Sequence, residues 1–177
     1  KQPSQFLKSP ERLYLKYMPS LKQLQNINCI ISDLIKNYSS LDYVERTVSW
    51  TNIGEPRSRE SIDVDLGGTI KSQSEVTATT TEFRSRDFNT MYSDTKCLIL
   101  RFSQTEKKVP ERSCLLWVKE KYLQSPLRHC RFLYDVLCNW KRADLEPTKN
   151  CDEGVEKKDK LPTLAENQNA GHTRLPR

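Results

Sequence analysis

Six cysteines, at positions 29, 97, 114, 130, 138 and 151, constrain this chain more than any other feature. The set is even, contains no C-x-x-C pair, and has only His129 and His172 beside it as further metal ligands. It therefore lacks the close Cys/His spacing of a zinc site and predicts three disulfides rather than a metal centre, with the pairing left open by spacing alone. Disulfides persist in oxidising compartments, so the chain is expected to be secreted. The absence of a methionine or an apolar leader before Lys1 fits a mature protein whose signal peptide has been removed. Asn37-Tyr38-Ser39 is an acceptor sequence for glycosylation at Asn37, although so short a motif also arises by chance. No run approaches the roughly 18 apolar residues of a membrane span.

Between residue 11 and about residue 120, short runs alternate apolar and polar side chains and are set off by turn residues. RLYLKYM at 12–18 and CIISDLI at 29–35 read as strands. YVERTVSWTN places Val44, Arg46, Val48 and Trp50 on one side. ESIDVDL, in which Asp63 and Asp65 alternate with Ile62 and Val64 and should face water, runs into Gly67-Gly68, a hairpin signal. TIKSQSEVTATTTEF, TMYSDTKCLILRF and CLLWVKEKYL follow; Leu98, Leu100 and Phe102 share one strand face, and Leu115 and Trp117 another. Seven or eight strands at this spacing suit a sandwich or an up-and-down barrel.

After Pro126 the period lengthens. In SPLRHCRFLYDVLCNW, Ser125 is placed to cap, Pro126 suits a first turn, and Leu127, Cys130, Leu133, Tyr134, Leu137 and Cys138 recur at helical spacing. This predicts one amphipathic helix packed on the strands. Beyond Lys141 apolar residues are too few to offset ordering entropy, which divides the chain into a domain over 1–151, ended by Cys151, and a disordered tail over 152–177.

Lys and Arg number 29 against 23 Asp and Glu, but the signs are mixed and no basic run exceeds two residues, so no nucleic-acid partner is expected. Enzyme chemistry lacks its parts. There is no P-loop, G-x-G-x-x-G or H-E-x-x-H, and neither histidine belongs to a nucleophile motif, so no catalytic residue and no cofactor are predicted.

The order of the CIISDLI, MYSDTKCLIL and CLLWV strands and the LRHCRFLYDVLC helix resembles the salivary lipocalins of ticks, the histamine-binding protein family, over roughly residues 11–151. The resemblance implies an eight-stranded antiparallel lipocalin barrel closed around one cavity, a C-terminal α-helix on its side, and a monomer secreted into saliva. It also implies pairing of Cys97 with Cys130 and of Cys29 with Cys151, leaving Cys114 for Cys138. Amine-binding members carry an acid directly after the cysteine matching Cys97 and another two residues before the tryptophan matching Trp117; here those positions are Leu98 and Leu115. A buried ammonium without a carboxylate is costly, so the substitutions argue against histamine or serotonin at that site.

Leu98, Leu100, Phe102, Leu115 and Trp117, with Val48 and Trp50, are thus expected to line a pocket for a small hydrophobic ligand. Periodicity alone favours a filled core, and the resemblance reverses that preference. Arg46 either faces the interior, where it would meet a ligand carboxylate, or sits at a bulge in solvent. Tyr14 and Tyr92 either offer hydroxyls to the cavity or belong to the core. The function expected is sequestration of a host lipid mediator such as a leukotriene, thromboxane, fatty acid or sterol. The alternatives are a binder of a host protein, such as a complement component or immune receptor, through its outer surface, and an amine scavenger, to which inward-facing Asp63 and Asp65 would return the argument.

Overall fold

Alternating β-branched and aromatic residues form the strands of a computed structural model that describes residues 3–38, 40–41, 43–69, 72–105, 107–147, 151 and 156–157. The strands are β1 (Leu13–Pro19), β2 (Ile27–Ser32), β3 (Leu34–Tyr38), β4 (Tyr43–Asn52), β5 (Glu55–Thr69), β6 (Ser72–Thr79), β7 (Arg86–Ser93), β8 (Cys97–Phe102), β9 (Cys114–Lys119), β10 (Arg142–Asp144) and β11 (Glu156–Lys157). Two helices, α1 (Pro3–Leu7) and α2 (Arg128–Leu137), flank them. The antiparallel order β1-β2-β4-β5-β6-β7-β8-β9 returns to β1 through the β9–β1 ladder, so the eight-stranded barrel is closed and has no free edge. β3 extends the β2 side of β4, β10 pairs with β1, and β11 pairs in parallel with β5.

Helix α2 lies along the outside of β8 and β9. Leu127, Cys130, Tyr134 and Cys138 pack on Tyr17, Cys97, Ile99, Cys114, Leu116 and Val118, the outward residues of β1, β8 and β9. This covering explains why CLILRF and CLLWV are apolar on both faces. Two disulfides, Cys97–Cys130 and Cys114–Cys138, pin its two ends to the barrel, and Cys29–Cys151 ties β2 to the chain beyond β10. The Tyr134 hydroxyl donates to Cys114 O at 2.8 Å, satisfying a buried strand carbonyl.

Several local expectations change. Gly67 and Gly68 are not a turn; they pair with Thr77 and Val76 inside β5, and the chain reverses between Thr69 and Ser72. The long β4–β5 register, which sets Tyr43 opposite Gly67, carries the strand to that point. CIISDLI breaks at Asp33, where Arg12 donates from two nitrogens to the carboxylate at 2.8 and 3.0 Å. TMYSDTKCLILRF is a hairpin, because the Asp94 carboxylate accepts the N–H groups of Lys96 and Cys97 and closes a turn. Ser125 does not cap α2; its N–H donates to Tyr122 O, and the helix starts after Leu127, a left-handed residue (φ 42°) whose side chain is buried. Helix α1, not among the elements expected from the sequence, is apolar on the face toward β5–β8 and closes one end of the barrel. Asn37 is exposed on β3, while Ser39 of its acceptor sequence lies outside the described residues. The expected tail over 152–177 lies outside them too, apart from Glu156–Lys157.

Candidate functional site: an apolar cavity open at one end

The barrel is not filled. It holds a cavity of about 400 Å³ to which every strand of the closed barrel contributes: Leu13, Leu15 and Met18 from β1, Ile27 and Ile30 from β2, Val48 and Trp50 from β4, Ile62, Val64 and Leu66 from β5, Ala78 from β6, Phe88 from β7, Leu100 and Phe102 from β8, and Leu115 and Trp117 from β9. The volume falls in the range of small-molecule pockets, roughly 300–1,000 Å³. Trp50, Leu115 and Trp117 remain half-buried while pointing into the barrel, because the cavity leaves part of each uncovered.

The two ends differ. At the end where β1 begins, Leu7 of α1 is part of the wall, and Phe6, Leu7, Leu13, Val44, Val76, Phe88, Leu98 and Leu100 form a packed cluster. At the opposite end the lining passes to Pro19, Leu24, Thr80, Phe83, Arg84 and Arg86, and this is the mouth. Phe83 and Arg84 are exposed. No aspartate or glutamate lines the cavity among the described residues, and its cations are confined to the rim.

Of the side chains singled out from the sequence, Val48, Trp50, Leu100, Phe102, Leu115 and Trp117 come together on this wall. Leu98 points inward but is fully buried in the cluster at the closed end. Tyr14 faces away from the cavity, in a cluster with Ile31, Leu123 and Cys151, and its hydroxyl donates to Glu120 Oε1 at 3.3 Å. Tyr92 also packs on the outside, beneath α2, and donates to Asp94 Oδ2.

Arg46 corrects a larger expectation. It does enter the interior, with 0% exposure, yet its guanidinium is committed to the protein. Nε donates to Ser32 Oγ at 2.9 Å, Nη1 to Leu7 O and Ser9 O at 2.7 and 2.8 Å, and Nη2 to Glu11 O and Ser32 O at 3.0 Å each. All five N–H donors of the side chain are taken, so none is left for a ligand carboxylate. Burial pulls its pKa down to about 10, partly opposed by Asp33, and the group stays charged at neutral pH. Its work is to bind the segment after α1 across the closed end.

Asp63 is exposed and Asp65 accepts from Tyr43, whose hydroxyl pKa is thereby pushed up to about 12; neither acid reaches the cavity. Asp94, His129, Cys97 and Cys130 offer ligand atoms within 4.8 Å of one another, but both sulfurs belong to one disulfide and are not thiolates. Alternation in ESIDVDL already carried the signal for Ile62 and Val64, the partners of the water-facing acids. Leu7, Phe83 and Arg84 had none, since their places depend on how α1 and the β6–β7 loop fold back.

The sequence matches the family described as tick histamine binding protein over residues 4–152. No curated protein sequence matches the chain. Among solved structures, it is similar to Japanin from Rhipicephalus appendiculatus bound to cholesterol, with a TM-score of 0.62 and 19% identity over 78% of this chain and 93% of that one. It is also similar to insecticyanin from the tobacco hornworm Manduca sexta, with a TM-score of 0.65 and 12% identity over 89% and 86% of the two chains. Lobster apocrustacyanin A1 shows a TM-score of 0.53 and 6% identity over 76% and 74%. At these identities the structures establish a shared lipocalin fold, and the sequence match establishes the family: this chain belongs to the tick histamine-binding proteins.

Proposed function

We propose that this protein is a secreted salivary carrier that captures a small host lipid, of the leukotriene, thromboxane, fatty acid or sterol class, and removes it from inflammatory signalling without chemical change. The observation that carries the reading is the composition of the cavity wall, aliphatic and aromatic apart from Ser32 and Thr80, with no carboxylate among the described residues and with Arg84 and Arg86 at the rim. An amine would enter this site with no counter-charge, which is costly, whereas an apolar body displaces poorly held water and is favoured at roughly 25 cal/mol per Å² buried. Leu115, at the position where amine-binding relatives carry an acid, belongs to that wall. The cholesterol bound to Japanin is consistent with a lipid in a barrel of this shape.

The test is native mass spectrometry of the protein secreted by eukaryotic cells, followed by extraction of any retained small molecule and titration with a panel of eicosanoids, fatty acids and sterols. Trp50 and Trp117 lie on the wall and report occupancy through their fluorescence. A retained or titratable lipid with saturable quenching is the expected result. A folded protein that is empty and indifferent to the whole panel, or that binds histamine or serotonin instead, overturns the reading.

A further inference from the structure

The open end of the barrel carries a feature that extends beyond the cavity wall. Three large apolar side chains stand in water there on separate connections: Ile53 between β4 and β5, Phe83 between β6 and β7, and Trp140 between α2 and β10, at 61, 60 and 78% exposure. Their common location follows from the topology. Ile53 succeeds Asn52, which ends β4 beside the start of β2, and Phe83 is on the mouth itself. Trp140 precedes Lys141, whose carbonyl accepts from Ser20 N, and Arg142, which pairs with the mouth residue Pro19. Ile53 also walls a groove of about 300 Å³ that shares Met18, Pro19, Leu24 and Ile27 with the cavity.

Cations accompany these tips. Lys22, Arg84, Lys107, Lys108 and Lys141 are all exposed on the connections at this end, against Glu82 and Glu111 on those connections and Glu55 and Asp87 at the adjoining starts of β5 and β7 among the described residues. None of the five forms an ion pair within the described structure. Apolar tips beside unpaired cations match the layering of a bilayer interface, in which apolar groups sink to the acyl boundary while Lys and Arg remain among anionic headgroups. The tips encircle an opening instead of forming one flat patch, so a protein partner would have to plug the mouth, whereas a fluid lipid surface conforms to it.

We infer that the open end is a docking face for an anionic phospholipid surface, on which the cavity mouth would rest against the membrane. The inference goes beyond ligand capture and does not depend on what the cavity holds. The full chain is floated with phosphatidylcholine vesicles with and without phosphatidylserine, at low and high salt. Flotation should require phosphatidylserine and fall with salt. The triple variant Ile53→Ser, Phe83→Ser, Trp140→Ser should lose at least about tenfold in partitioning, and Lys22→Gln, Arg84→Gln, Lys107→Gln, Lys108→Gln more than about a hundredfold. Both should keep the parent melting temperature, since every substituted side chain is exposed. No flotation with phosphatidylserine vesicles, flotation unchanged in both variants, or a dimer in solution that the triple variant abolishes without any vesicle binding would each overturn the inference.

Discussion

Replacing Arg46, the only arginine fully buried among the described residues, with methionine separates two accounts of its role. The substitution keeps the apolar stem and removes five hydrogen bonds of 2.7–3.0 Å, four of them to the backbone carbonyls of Leu7, Ser9, Glu11 and Ser32. Hydrogen bonds from a charged donor contribute about 1.5–3 kcal/mol each, so their simple sum would be about 7–15 kcal/mol. That sum overstates the loss, because the segment from α1 to Glu11 will peel away and hydrate its carbonyls before the barrel unfolds. The net effect should approach that of removing one partner from a buried charged network, about 3–5 kcal/mol. For a domain of this size each kcal/mol moves the melting temperature by about 2–4 °C, which predicts a drop of roughly 6–20 °C in a calorimetric scan with disulfides intact. Amide exchange should rise over residues 6–11 in the same variant. Arg46→Lys should fall nearly as far, since a single ammonium does not reproduce the planar fork. If Arg46→Met instead melts with the parent protein and loses affinity only for carboxylate ligands, the guanidinium meets the ligand and the reasoning fails.

Asp94 gives a pH-dependent contribution of known sign. Desolvation opposes its ionisation, but N–H bonds from Cys97 and Lys96, helped by His129 and Tyr92, hold its pKa below the ordinary carboxylate value. Its contribution is therefore complete above the unfolded pKa, near 4, and is lost as pH falls through the lower folded value; urea unfolding of the parent and Asp94→Asn should differ most above that range and converge in stronger acid. Cys29→Ser with Cys151→Ser opens a loop of 122 residues and should reduce stability by about 4–5 kcal/mol in the chain-entropy view, read as a lower urea midpoint. Leu115→Glu places a carboxylate on the cavity wall and should create measurable calorimetric heat with histamine, whereas Leu98→Glu buries the same charge in a packed cluster and should lower the melting temperature sharply without a gain in amine binding.

How the sequence and the fold divide the explanation is visible in single residues. The alternation of Leu98, Leu100 and Phe102, and of Leu115 and Trp117, was legible because period-2 patterning is a property of the backbone, independent of what it packs against. So was the helical spacing from Leu127 to Cys138, which returned as the buried face of α2. Six cysteines announce three disulfides, but which sulfurs meet depends on the stacking of α2 along β8 and β9, and in the sequence only the family resemblance speaks to it. Depth along the barrel axis was not legible at all. Leu98 and Leu100 have the same inward direction and share the packed cluster with Phe6 and Leu7, yet of the two Leu100 alone also reaches the cavity wall. Alternation likewise set Arg46 on the face of Val44, Val48 and Trp50 but left open whether it entered the interior or sat at a bulge, and only the return of residues 7–11 across the barrel end decided that its partners there are backbone carbonyls. Local periodicity sets which way a side chain points; the long-range closure of strands and the placing of α1 set what it meets there.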